Sequence, residues 1–174
     1  MAYSAIAVAN AFIERAKQGR IPDLTPMKVQ KLLFYTQSWF LHLYGGEPLI
    51  DDSFARWKFG PVITSLYHDL KGYGYRPVTE KLSRAVLAPG GKGVNLVTPE
   101  VSPDDKVAND MIDKIVEVYG KYSGNQLSAM THAKGTAWSL SPSGKEGDGS
   151  IIDLVTMANN IHPNPTPPSV TTQA

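Results

Sequence analysis

Thr25-Pro26-Met27-Lys28-Val29-Gln30-Lys31-Leu32-Leu33-Phe34-Tyr35 decides the fold of this chain. Thr25 offers a side-chain oxygen to the orphan amides of a helix start, and Pro26 suits the first helical position because its missing N–H is not needed there. The helix is expected to run from Pro26 to about Tyr44 and to stop at Gly45-Gly46. Its apolar residues include Val29, Leu32, Leu33, Phe34, Tyr35, Trp39, Phe40 and Leu43. They wrap more than half the circumference, whereas a surface helix carries only a stripe. This is therefore read as the central helix of its domain.

Working outward, residues 4–18 read as an amphipathic helix with Ser4 as cap and Ile6, Ala9, Ile13 and Ala16 on one face. On the other side, residues 54–59 alternate and read as extended chain. Gly60-Pro61 is expected to break that segment and to start a third helix running to Lys71. The stretches around Leu82–Leu87 and Val94–Val97 flank a Pro/Gly-rich turn and read as a β-hairpin. Ser102-Pro103 opens a helix to about residue 121, and Ser123 with Gln126 has capping-box spacing for a shorter one ending near Gly135. Residues 139–149 read as a mobile loop. Ser150 is expected to cap a last helix to about Ile161, and residues 163–174 hold too little apolar surface to order. The expected fold is mainly α: about six helices in one domain over residues 1–162, with a small hairpin or strand element.

At 174 residues a chain buries roughly 70% of the surface it exposes when unfolded and needs no covalent staple. It has no cysteine, which excludes thiolate catalysis and cysteine-ligated metal and fits a cytoplasmic location. The net charge is +1, without the basic bias of a dedicated nucleic-acid binder. Arg15, Lys17, Arg20, Lys28 and Lys31 are read as solvated charges. No apolar run approaches the ~18 residues of a membrane span, so no membrane association is expected.

Catalytic motifs are absent. Gly91-Lys92 and Gly144-Lys145 lack the upstream glycine and the following hydroxyl of a phosphate loop. His42, His68, His132 and His162 are never three or four residues apart, the spacing that puts two ligands on one helix face. Neither a cofactor nor a metal is expected, and the chain is not read as an enzyme. The strongest signal is aromatic clustering between Phe34 and Tyr75. Within it, Arg56-Trp57-Lys58-Phe59 precedes Gly60-Pro61, with Tyr67 and His68 on the helix expected to follow. Aromatic and basic anchors on an irregular edge are what protein-binding hot spots look like. Trp57 and Phe59 are expected to face the core, leaving Arg56, Lys58 and Tyr67 for a partner.

The segment Thr25 to Tyr35, then Gln37, Trp39 and Leu41, then Gly46-Glu47-Pro48-Leu49 and Ala55-Arg56-Trp57-Lys58-Phe59-Gly60-Pro61-Val62, resembles the signature of the SocA-like antitoxin family, the Panacea domain. Leu66-Tyr67, Leu127-Ser128, Thr131-His132 and Trp138 extend the resemblance, which covers about residues 5–161. Ala133 to Ala137 departs from it where relatives often carry an acidic residue and a proline. The resemblance implies a helical antitoxin of bacterial or phage origin. It implies a cognate toxin protein as partner, encoded by an adjacent gene and neutralised by direct binding. Arg56, Trp57, Lys58, Phe59, Gly60, Pro61, Tyr67 and His68 are the candidate partner-binding residues. Trp138 is expected to pack against the central helix or the Gly60-Pro61 corner. A nucleic-acid-binding regulator is the alternative reading, and an enzyme the least favoured.

Overall fold

The central helix, α2 (Pro26–Leu43), is buried at every residue from Lys28 to Trp39. Thr25 caps it by accepting from the Lys28 amide at 3.3 Å. The architecture is that of a computed structural model, which describes residues 2–163. Packed on α2 are α1 (Ala5–Lys17), α3 (Thr64–Leu70), α4 (Lys106–Tyr119), α5 (Gly124–His132) and α6 (Leu154–Asn159). Strands β1 (Ala55–Trp57) and β2 (Gly60–Val62) form one antiparallel pair, and β3 (Arg84–Leu87) and β4 (Val94–Val97) another. Helices predominate, and one core runs from Ala5 to Ile161.

The expected helices all form, but several boundaries move for local reasons. Gly60-Pro61-Val62 does not open a helix. It pairs with Ala55–Trp57, and α3 starts only at Thr64. Segments 54–59 and 82–97 belong to two separate strand pairs rather than one β element. Asp105, not Ser102, caps α4 by accepting from the Ala108 amide at 3.0 Å. Asp153, not Ser150, caps α6 at Thr156 N, 2.8 Å. Ser150 instead lies extended beside β1, its carbonyl accepting from Arg56 N at 2.8 Å. The disorder expected for 163–174 concerns, from residue 164 on, residues outside the described ones.

Lys28 and Lys31 are not solvated: each is 1% exposed. Buried backbone carbonyls need donors, and α2 supplies them with its polar side chains. Lys28 Nζ donates to Pro22 O and Gly120 O, both at 2.6 Å. Gln30 brackets Ile63, donating to its carbonyl at 3.0 Å and accepting from its amide at 2.9 Å. Gln37 donates to Ile50 O at 2.9 Å and accepts from the amides of Leu49 and Ile50. Arg15 is largely covered as well, and shares the Asp113 carboxylate with Arg20.

Candidate functional site

Trp57 pairs with Gly60, so Lys58 and Phe59 are the two tip residues of the β1–β2 hairpin. Both keep negative φ, and the positive φ falls on Gly60, at 111°. Three consecutive tip carbonyls are held from behind. Trp57 O accepts from Trp138 Nε1 at 2.9 Å. Lys58 O faces His132 Nε2 at 2.9 Å. Phe59 O accepts from Ser128 Oγ at 2.6 Å. Beyond the tip, Pro61 O accepts from Lys31 Nζ at 3.2 Å. Burial with no carboxylate partner pushes the Lys31 amine down to about 7. His132 Nδ1 lies 2.6 Å from Ser128 O, so both its ring nitrogens face carbonyls. A neutral imidazole donates to only one of them at a time.

Arg56 fixes the other side of the hairpin. It is 1% exposed and uses every N–H of its guanidinium. Nε donates to Trp138 O, Nη1 to Ser150 Oγ and Ile151 O, and Nη2 to Ala137 O and Leu140 O, all within 3.0–3.1 Å. Trp138 is buried too, its ring 3.9 Å from that of His132 between centroids. The distant Trp138 therefore closes on strand β1, next to the Gly60-Pro61 corner.

Two segments far apart in sequence, 25–67 and 127–138, thus build one structure around a hairpin tip. A family model described as antitoxin SocA-like, Panacea domain, matches residues 29–139, from the first turn of α2 to just past Trp138. The chain belongs to the SocA-like antitoxin family. This Panacea domain is also similar to the antitoxin SocA of Caulobacter vibrioides (strain NA1000 / CB15N). The two are 30% identical over 138 residues, 79% of this chain and 70% of that protein. No solved structure matches the chain.

Within the Panacea domain the candidate residues divide into frame and surface. Arg56, Gly60 and Pro61 are buried, which corrects the expectation that Arg56 is available to a partner. Phe59, expected in the core, is 60% exposed. The reason is the position of the turn: alternation ends at Trp57, so Phe59 occupies the turn rather than the strand. Lys58 and His68 are exposed, Tyr67 is 42% exposed, and Trp57 is half-buried with its ring 4.8 Å from that of Tyr67. Lys31, Ser128, His132 and Trp138 hold the tip, and none of them stood among the candidates. Their only sequence signal was the family resemblance, in which Lys31 falls in the 25–35 segment and Ser128, His132 and Trp138 in the C-terminal element. His42, His68 and His132 stay on separate elements. Among the described residues no group of three His, Asp or Glu side chains could hold a metal ion. Among them, too, no helix is long and apolar enough to cross a membrane.

Proposed function

We propose that this chain is an antitoxin that neutralises a cognate toxin by direct protein–protein binding, without catalysis, and that the β1–β2 tip with the adjoining face of α3 is part of the binding surface. The observation that carries this reading is the contrast between the two sides of the tip. Its carbonyls at Trp57 and Phe59 each accept from a side chain of the domain, and the Lys58 carbonyl faces His132. The Lys58 and Phe59 side chains point outward. A tip held in this way loses little conformational freedom on binding, which lowers the ordering cost of association. In this reading Arg56, Gly60 and Pro61 shape the surface, while Trp57, Lys58, Phe59, Tyr67 and His68 touch the partner.

The test is co-expression with the toxin encoded next to the gene, using Lys58→Ala, Phe59→Ala, Tyr67→Ala and His68→Ala variants whose folding is checked by thermal melting. A true anchor costs ~2 kcal/mol or more on truncation, about thirtyfold in affinity. Phe59→Ala is expected to give the largest loss of neutralisation. If all four variants melt normally and neutralise as well as the parent, the interface lies elsewhere.

A further inference from the structure

We propose that the chain associates with a second copy of itself through the outer face of the β3–β4 hairpin. The strand register decides which side chains share that face. Ala85 pairs with Leu96 and Leu87 with Val94, so these four lie on one side of the hairpin and Arg84, Val86, Asn95 and Val97 on the other. The second side looks toward the domain. Arg84, Val86 and Val97 line a cavity with Ser4, Ile6 and Pro99, and Arg84 pairs with Asp69 at 3.1 Å. The first side looks away. Leu87 is 78% exposed, Leu96 79% and Val94 61%, against 42% for Val86 and 44% for Val97. A sheet with one face in water ordinarily carries polar residues there. Here the outward face is aliphatic throughout, and none of its four residues joins the core. The hairpin is also a sheet of only two strands, marginal in water without a further layer.

The chemistry of the face matches a copy of itself. It carries no charge, so two identical faces meet without opposing like charges and without stripping water from an ion. A two-fold axis lying across the strands, between the two faces, sets Ala85 of one copy against Leu87 of the other, and Val94 against Leu96. Each leucine then meets a smaller residue, the alternation by which facing layers interdigitate. The same axis sends the two turns, each with its Lys92, to opposite ends. Pairing the hairpins edge to edge would join backbones but leave Leu87, Val94 and Leu96 in water. At the exposures found, the four residues present roughly 450 Å² to solvent, the size of the largest patch on an ordinary monomer. Two such faces together remove roughly 900 Å², short of the ~1,200 Å² of a stable complex and in the range of transient pairs. The dimer is therefore weak and reversible. None of its contact residues belongs to the β1–β2 tip.

Sedimentation equilibrium of the full chain from about 1 μM to about 500 μM spans the affinities that such an area allows. The weight-average mass is expected to rise across that range from the monomer toward the dimer. Leu87→Lys and Leu96→Lys each place an ammonium in the covered face and should weaken association about tenfold or more. Their melting temperatures at low concentration should match the parent's, because both positions are exposed. The sequence holds no cysteine, so Leu96→Cys puts a single thiol on the face. A short bismaleimide should link two such chains, and adding Leu87→Lys to the same chain should abolish the link. A chain that stays monomeric throughout overturns the proposal. So does a dimer that survives both lysine variants, or one that leaves Leu96→Cys unlinked, since another surface then holds it. If the parent is monomeric and Leu87→Lys weakens neutralisation of the co-expressed toxin, the face takes a different protein and the second copy falls.

Discussion

At Gly60 the backbone sits at φ 111°, and an added Cβ would lie 2.6 Å from Lys31 Cε and 2.8 Å from Thr131 Oγ1. Both neighbours are buried and hydrogen-bonded, so neither retreats without breaking a contact of the tip. Gly60→Ala is therefore expected to cost about 2–3 kcal/mol, from strain and overpacking together, measured by urea denaturation. A loss under ~0.5 kcal/mol would show that the backbone relaxes there. Lys31 gives a test with a sign. Its amine has an ordinary value of 10.5 and is pushed by burial to about 7 in the fold. Between those values the unfolded chain binds a proton that the folded chain does not, so stability rises with pH in that window. Read downward, the contribution is complete above 10.5 and is lost as pH falls through about 7. Lys31→Met keeps the stem and removes the titration. It also leaves Pro61 O without its donor, a cost of about 1 kcal/mol. The variant is expected to gain most over the parent near about pH 6 and progressively less toward about pH 9. Parallel stability curves for the two proteins would sink this account.

The β1–β2 hairpin is too short to be stable alone, and its geometry comes from the side chains behind it. Trp138→Phe retains a ring against His132 but removes the N–H that reaches Trp57 O. An expected loss of about 1–2 kcal/mol follows from the unpaired buried carbonyl. Amide exchange in Ala55–Val62 should accelerate more than in α2, and uniform acceleration would contradict the assignment. This element also marks how far the sequence could be read. α1, α2 and α5 were legible because cap, periodicity and stop are local signals, and Ser4, Thr25 and the Ser123/Gln126 box all cap as their spacing predicts. The starts of α3, α4 and α6 were not, since Pro61, Ser102 and Ser150 imitate starts that Thr64, Asp105 and Asp153 take instead. At the candidate site, the presence of a turn was legible from the Gly-Pro pair. The facing of its side chains was not, because alternation was counted through Lys58 and Phe59, which are a turn. The burial of Lys28 and Lys31 was beyond local reading, since Gly120 and Pro61, whose carbonyls they serve, come from segments distant in sequence.

Across the whole molecule, one side chain gathers more of the C-terminal third onto β1 than any single backbone contact does. Arg56 reaches the carbonyls of Ala137, Trp138, Leu140 and Ile151 and the Ser150 hydroxyl, while its own backbone pairs with Ser150 and Gly149. These acceptors lie on non-helical chain, and the guanidinium adds its five hydrogen bonds to the backbone pairing that 149–152 makes with 54–56. Lysine cannot substitute for it. An ammonium has three donors at a single point, whereas these five acceptors are spread around a planar fork. Arg56→Lys would leave at least two of the five acceptors unpaired, at least one of them a carbonyl, at about 1–3 kcal/mol each. The expected loss is about 3 kcal/mol or more, read by urea denaturation. Because Trp138 and the hairpin share this closure, the tip should loosen with it, so neutralisation is expected to weaken even where the variant is still folded at the assay temperature. Arg56→Met is the control, for it keeps much of the stem and supplies no donor. If Arg56→Lys were as stable as the parent while Arg56→Met was not, charge alone would suffice and the fork geometry would be incidental. If both matched the parent, the 137–151 segment would be held by its backbone contacts to β1, and Arg56 would not be the residue that closes the fold.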